Sequence, residues 1–374
     1  DLLAYFRDFI GEDDVASVMH AAALPSAADD DVEAALALQA PPPLPPFRPT
    51  DDPFQVLLAK LSHPMAADVV KLLQQLVLRV RTAAGEQAAA LLSGGDEAAG
   101  AALHRPSAGG PPSPSGGSPT SPSRDVAAPS GGRAGELLLE GEARMLSLMR
   151  EHAVWAGETA TQFERTGESL ERFLHAKLRE DLRRLYDTPA AEARDRALAR
   201  RLEALRFLSW LHLDVKAFAG GDCSNLAAAA GHLRAMASRT SPLDKLACVR
   251  RCSREITRVM QAARDDGALP GADDFLPALI LAAKEARVPR MHAQLDFIQS
   301  FTLPARLTAE NGYLLTHLVS ALHFLETMDA SSLTISPEEF DESLRRCKAE
   351  AEREARAAEE RRRREELEAE ERRR

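Results

Sequence analysis

Aromatic residues are scarce in this sequence: they make up 5% of the 374 residues, although 45% of the residues are hydrophobic. A hydrophobic core must therefore be built mainly from Leu, Ala, Val and Met, a composition that suits packed helices better than a β-sandwich. We predict an all-α protein with enough sequence for more than one domain.

Cysteine is also scarce, and the chain has only Cys223, Cys248, Cys252 and Cys347. No two of them form a Cys-x-x-Cys pair, which argues against a disulfide framework and fits a reducing compartment. Cys248 and Cys252 lie one helical turn apart, but no further ligands stand at a matching spacing. We expect core thiols at these positions and no metal site.

The sequence has no basic excess, because 57 acidic residues outnumber 47 basic ones and give a formal net charge of −10. This balance argues against a nucleic-acid partner. The sequence also lacks a signal peptide and any long uncharged apolar run. We therefore expect a cytoplasmic protein whose association with membranes is peripheral at most. It begins with Asp1 rather than Met, from which we expect a longer product.

The motifs of bond-making enzymes are missing as well. The sequence contains no Gly-rich phosphate loop, no Gly-x-Ser-x-Gly and no His-Glu-x-x-His. We therefore expect no cofactor and no covalent chemistry, and a function that acts on a partner protein.

Two stretches of biased composition are predicted to be disordered. Residues 1–53 are acidic and Ala-rich and then Pro-rich, and the proline run at 41–46 suits either a stiff spacer or a ligand for an SH3-like groove. Residues 2–10 have the spacing of a short amphipathic helix, which suits either a membrane or partner contact or a frayed terminus. Residues 94–135 are rich in Gly, Pro, Ser and Ala, and their Ser-Pro pairs are either phosphorylation sites or a product of composition.

Helical spacing of apolar residues flanks the second biased stretch. Two stripes, at residues 54–61 and 69–80, predict a helical hairpin, and further stripes between 138 and 185 predict the helices that complete a bundle. We assign residues 54–196 to this bundle and treat 94–135 as an insertion, because the cost of closing a loop grows only slowly with its length.

Residues 197–344 are assigned to a second, all-helical domain. Its last helix is predicted to begin with Ser336 as the N-cap and Pro337 at the first position. Residues 345–374 are almost all Glu, Arg and Ala. Opposite charges four residues apart favour a helix there, but no apolar seam is present. We expect a solvated single helix, with a coiled coil as the alternative.

The stretch at residues 271–277, Gly-Ala-Asp-Asp-Phe-Leu-Pro, predicts the start of a helix. Apolar residues then follow at helical spacing: Phe275, Leu276, Leu279 and Ile280. Because Pro277 lacks an N–H and is tolerated only in a first turn, we place the N-cap at Asp274. Asp273 is then an uncapped carboxylate just ahead of the helix.

A second stretch, residues 311–325, predicts a helix with two opposed faces. One face has the spacing of a core: Leu315, Leu318, Leu322 and Leu325. The other face carries Tyr313, Thr316 and Ser320, which we expect to be available to a partner.

These stretches belong to a set of separated blocks that occur in one order along the chain. The blocks are residues 241–248, 272–277, 312–316 and 324–329. They resemble the Vps-nine domain, whose family consists of guanine-nucleotide exchange factors for Rab GTPases of the Rab-five kind. The preceding half is similar to the helical bundle of Rabex-type and plant exchange factors, notably at 170–186. The resemblance covers residues 54 to about 344.

The resemblance implies a function in endosomal vesicle trafficking, with a Rab-five-type GTPase, GDP-bound or nucleotide-free, as the partner at early endosome membranes. Asp273 would be an acidic finger that pairs with the P-loop Lys of the GTPase, and Tyr313 would be the second catalytic residue. An apolar groove and a polar strip would receive the switch regions. The partner-binding residues would be Phe275, Pro277, Ile280, Thr316 and Ser320. An effector or regulatory protein would use the C-terminal helix.

The sequence departs from the family pattern around the tyrosine. The family commonly has Gly-Glu before its Gly-Tyr pair, aromatic residues after the Tyr and an Asn after the Thr. Here Ala309-Glu310, Leu314-Leu315 and His317 stand in those places. The departures leave Asp273 and Tyr313 intact but leave the choice of Rab open. The alternative function is a non-catalytic helical adaptor that binds a Rab or trafficking partners.

Overall fold

The computed structural model of the protein describes residues 52–93, 131–215, 226–262, 272–307 and 309–373. Within these ranges all regular secondary structure is helical, which confirms the all-α prediction. The chain divides into two compact units, one ending at Leu185 and the other beginning at Tyr186. The predicted short helix at 2–10, the proline run, the Ser-Pro pairs and Cys223 lie outside the described residues. No described helix has the length and apolar character needed to cross a membrane.

Five helices form the described part of the first unit. They are α1 (Pro53–Leu61), α2 (Ala67–Ser93), α3 (Gly132–Glu151), α4 (Ala160–Lys177) and α5 (Arg179–Arg184). The side chain of Asp52 caps α1 by accepting a hydrogen bond from the N–H of Phe54 at 3.2 Å. Helix α2 packs mainly on α3, and α1 packs on α4. The predicted helices at 54–61 and 69–80 are confirmed.

The end of the predicted insertion requires a correction. We expected disorder as far as residue 135, but α3 already begins at Gly132. Gly132 has a φ of 54°, a left-handed conformation that glycine adopts without the steric cost of a Cβ. The glycine-rich sequence at this point therefore starts a helix and does not prolong the loop.

Seven helices form the described part of the second unit. They are α6 (Pro189–Ala204), α7 (Leu226–Ala235), α8 (Pro242–Ala262), α9 (Ala272–Ala286), α10 (Met291–Phe301), α11 (Ala309–Thr327) and α12 (Pro337–Arg373). Helix α7 packs on α8 and α9, and α9 packs on α11. The expected domain boundary between residues 196 and 197 falls inside α6, so the compact unit begins earlier than we predicted.

Helix α8 shows how the sequence builds the core of this unit. Its buried side chains follow helical spacing: Leu246, Val249, Cys252, Ile256, Val259 and Met260. The hydroxyl of Ser241 caps the helix by accepting from the N–H of Asp244 at 3.2 Å. Cys248 and Cys252 are both buried, which confirms the prediction of core thiols. Burial raises the pKa of the Cys252 thiol to about 12, with a smaller contribution from Glu255.

A buried lysine fixes the start of α8 to its neighbours. The Nζ of Lys245 donates to the backbone carbonyls of Met236 at 3.0 Å and Arg239 at 2.6 Å, and to Oε1 of Gln294 at 2.6 Å. These three bonds use all the donors of an ammonium group, which explains how the charge is tolerated at 5% exposure.

Helix α12 begins as predicted but packs further along its length than we expected. The hydroxyl of Ser336 accepts from the N–H of Glu339 at 3.2 Å, and Pro337 occupies the first position. Cys347 is only 4% exposed. The guanidinium of Arg206 donates to both carboxylate oxygens of Glu354, at 2.8 and 2.7 Å. The helix therefore keeps contacts beyond residue 345, although residues 352–373 are each exposed.

Candidate functional site

The candidate acids lie at the start of α9, and the structure corrects the position of that start. Helix α9 begins at Ala272, so the prediction of Asp274 as the N-cap is wrong. Asp273 and Asp274 are the second and third residues of the helix. In this first turn the helix dipole and the unpaired N–H groups favour negative charge. The side chain of Asp273 lies outside the described part of the structure, and its role stays a prediction.

Pro277 lies inside α9 and not in its first turn, contrary to our prediction. Proline has no N–H, so it cannot donate a helical hydrogen bond to the carbonyl four residues earlier, which is that of Asp273. The carbonyl of Asp273 therefore lacks the helical hydrogen bond that another residue at 277 would donate.

The two faces of α11 are as predicted. The four leucines of the core face are buried. On the opposite side Tyr313 is 48% exposed, and Thr316 and Ser320 are exposed as well. The spacing of apolar residues predicted this division because one face of the helix must cover the core of the second unit.

Three aromatic rings connect α9 with the exposed face of α11. The ring centroids of Tyr313 and His317 are 4.1 Å apart, and their planes are inclined by 57°. The centroids of His317 and Phe275 are 6.1 Å apart in an edge-to-face arrangement. Such pairs are favourable by about 0.5–1.5 kcal/mol beyond the area that they bury. We call the residues Pro277, Tyr313, Thr316, His317 and Ser320 the α9–α11 surface.

The predicted groove residues of α9 differ in exposure. Pro277 is half-buried, whereas Phe275 is 7% exposed and Ile280 is 3% exposed. Phe275 and Ile280 therefore belong to the core, and only a small part of either side chain reaches the surface.

The hydroxyl groups of the α9–α11 surface retain capacity for hydrogen bonds. The hydroxyl of Thr316 donates to the carbonyl of Gly312 at 2.8 Å, which leaves its oxygen able to accept. The hydroxyl of Tyr313 has no hydrogen-bond partner among the described residues. Both groups are thus placed to bond a partner.

Asn311 supports the start of α11 from beneath this surface. It is buried, and its Nδ2 donates to the carbonyl of Arg306 at 2.7 Å. Its Oδ1 accepts a longer bond of 3.5 Å from Arg250 of α8. These contacts tie the first turn of α11 to the preceding loop and to α8.

The candidate residues form an exposed surface outside two clefts of the second unit. A cleft of about 780 Å³ lies elsewhere in the second unit, between α6, the loop after α9 and α12, and none of the candidate residues lines it. None of them lines a smaller cleft beside Trp210 either. Small-molecule sites are typically concave, so the geometry of the described residues suits a macromolecular partner better.

Sequence reasoning treated His317 only as a departure from a family pattern and missed its contacts. The signal was present, because His317 follows Tyr313 by four residues and such pairs lie on one face of a helix. The contact with Phe275 had no such signal, since it depends on how α9 and α11 pack.

These features define a helical domain with an exposed aromatic and polar surface. Residues 226–330 match the family described as the vacuolar sorting protein 9 (VPS9) domain. The match confirms the predicted resemblance over these residues. The match runs from the start of α7 to Ala330, and it includes Asp273 and Tyr313.

Several curated proteins are similar to this chain. The Rab5 GDP/GTP exchange factor of Homo sapiens is 35% identical over 158 residues, which cover 41% of this chain and 32% of that protein. Vacuolar protein sorting-associated protein 9A of Arabidopsis thaliana is 28% identical over 211 residues, which cover 55% and 40%. The Rab5 GDP/GTP exchange factor of Mus musculus is 42% identical over 107 residues, which cover 28% and 21%. The chain spans less than half the length of each of these relatives.

Proposed function

We propose that this chain is a guanine-nucleotide exchange factor for a Rab5-type small GTPase in endosomal vesicle trafficking. The observation that carries the proposal is the combination, within one VPS9 domain, of an acid in the first turn of α9 with the exposed Tyr313 on the adjacent α11. Relatives named as Rab5 GDP/GTP exchange factors support it.

The proposed exchange activity depends on a difference in affinity for the nucleotide-free and the nucleotide-bound GTPase. A GTPase holds its nucleotide through backbone N–H groups, a P-loop Lys and Mg²⁺. An exchange factor must bind the nucleotide-free form more tightly than the bound form, because equal affinity for two states shifts no equilibrium. In the proposed mechanism the carboxylate of Asp273 pairs with the P-loop Lys in place of the β-phosphate and Mg²⁺. The first turn of α9 favours the ionised carboxylate that this pairing requires.

The remaining residues of the proposed site bind the switch regions of the GTPase. Tyr313 and Thr316 form hydrogen bonds with them, and Ser320 extends the same exposed strip. Pro277 lines the groove for apolar switch residues. Phe275 and Ile280 support this apolar contact from the core, in keeping with their low exposure.

The proposed protein acts at a membrane and has a second binding surface. The proposed location is the cytoplasmic surface of early endosomes, reached by peripheral association. The proposed surface for an effector or regulatory protein is the exposed part of α12, residues 352–373.

Release of fluorescent GDP from a panel of purified Rab GTPases tests the proposal with the full 374-residue chain. We expect faster release from at least one Rab5-type GTPase. Asp273→Ala should lower exchange efficiency by about two to three and a half decades, because loss of one partner from a desolvated charge pair costs about 3–5 kcal/mol.

Asp274→Ala is the matched control, because it removes a carboxylate from the same helical turn. Each substitution should lower the free energy of unfolding by about 0.3–1 kcal/mol, since each removes a negative charge from the positive end of α9. Exchange could instead survive Asp273→Ala and be lost in Asp274→Ala, with both variants as stable as expected. In that case Asp274, and not Asp273, is the residue that pairs with the P-loop Lys. If the folded protein accelerates no Rab in the panel, the adaptor function is favoured.

A further inference from the structure

The ring of His317 joins a fixed aromatic side chain to an exposed one. On one side is Phe275, 7% exposed within the core between α9 and α11. On the other side is Tyr313, 48% exposed, with a ring centroid only 4.1 Å from that of His317. The three rings form a row from the core to the α9–α11 surface.

The side chain of Tyr313 has few other aromatic or polar contacts. Among the described residues its ring has no aromatic neighbour besides His317, and its hydroxyl forms no hydrogen bond. A tyrosine that rotates freely must lose that freedom when it binds a partner, whereas one that is already held loses less.

We infer that His317 is a positioning residue, which holds the Tyr313 ring in the orientation that meets the GTPase. The inference rests on the proposed exchange function and adds a residue to its site. His317 acts through its contact with Tyr313. Its own ring is held by the contact with the buried Phe275.

Three substitutions test the inference in the GDP-release assay with the full chain. His317→Ala should lower kcat/KM for exchange about three- to tenfold, since the partner must then order the tyrosine itself. His317→Phe keeps a ring in the row and should restore most of the activity. His232→Ala is the matched control, because His232 lies on α7, outside the α9–α11 surface, and has no ring contact among the described residues. It should leave exchange unchanged.

A double-mutant cycle separates positioning from independent effects. In a Tyr313→Ala background, His317→Ala should cause no further loss of exchange, because the side chain that it positions is already gone. Additive losses would overturn the inference, since His317 would then act directly on the partner or on the fold.

A measurement without any GTPase separates this inference from the proposed function. The chain has three tyrosines, and Tyr313→Phe identifies the signals of one in an NMR spectrum of ¹³C-tyrosine-labelled protein. His317→Ala should shift the ring signals of Tyr313, because the ring current of the imidazole is lost. An unchanged spectrum would overturn the contact itself. A shifted spectrum from a protein that accelerates no Rab would instead contradict the proposed function.

Discussion

Removal of residues 345–374 should destabilise the second unit, although these residues are almost all charged. Cys347 is buried in this segment, and Ala351 is half-buried beside the cleft at α6. At about 0.8 kcal/mol per buried CH₂-sized group, the thiol and the neighbouring apolar groups together contribute roughly 2 kcal/mol. The ion pair of Arg206 with Glu354 adds little, because the carboxylate is largely exposed. For a unit of this size the loss corresponds to a fall in Tm of about 4–8 °C.

Two truncations and one substitution measure this contribution to stability. Each is assayed by thermal unfolding, with circular dichroism as the signal. A chain that ends at Leu344 should show the full fall in Tm. A chain that ends at Glu359 loses only exposed residues and should melt within about 1 °C of the full chain. Cys347→Ala in the full chain should account for about half of the fall, because it removes the buried thiol alone.

Equal melting of both truncations would refute this reasoning. It would mean that α12 is solvated from Leu344 onward and that the contacts of Cys347 and Glu354 carry no stability. A fall caused by the Glu359 truncation alone would also contradict it, since that truncation leaves every packed residue of α12 in place.

The remaining predictions concern helix packing and pH. Gly85→Ala should raise the free energy of unfolding by about 0.5–1 kcal/mol, because an added Cβ in α2 meets nothing within 4 Å. Gly141→Ala should lower it by about 1–2 kcal/mol, because the Cβ would lie 2.1 Å from a methyl group of Leu76, and thermal melting distinguishes the two signs. The hydrogen bond from His292 lowers the pKa of Glu326, so the stability from this carboxylate is present above pH 4.5 and lost as the pH falls through its folded pKa. The Tm difference between wild type and Glu326→Gln should therefore shrink below about pH 4.5, and a constant difference from pH 7 to pH 3 would contradict this assignment.

The helices that the sequence predicts well are those with one buried face. Helix α8 and the core face of α11 have apolar residues at helical spacing, and the structure buries them as expected. The cap at Ser336 was equally predictable, because its contact is local and depends on residues three positions apart. Periodicity and local capping thus account for most of the described fold.

The start of α9 could not be predicted by the same rules. The exclusion of proline from helix interiors places the start close to Pro277, but α9 extends one full turn before it. Packing of α9 on α7 and α11 buries Ala278, Leu279 and Ala282, and it stabilises the helix as a whole. One missing hydrogen bond near the end of a well-packed helix costs less than the rule for an interior proline implies.

The exposure of the candidate site was predictable for α11 but not for α9. Helical spacing places Tyr313, Thr316 and Ser320 on one side of α11, and they are exposed. The same spacing cannot tell whether Phe275 and Ile280 face a groove or the core, because that depends on which helix covers α9. The structure places both in the core.

The position of Asp273 within α9 bears on how the proposed site would engage a GTPase. Positions 273 and 277 share one face of the helix and lie slightly more than one turn, about 6 Å, apart along its axis. A partner that rests its apolar switch residues on Pro277 is thereby placed with its phosphate site near the N-terminus of α9. The hydrogen bond that Pro277 cannot donate is the one to the carbonyl of Asp273, the residue that carries the proposed charge. In the proposed complex one helix therefore supplies both an apolar contact and a charge.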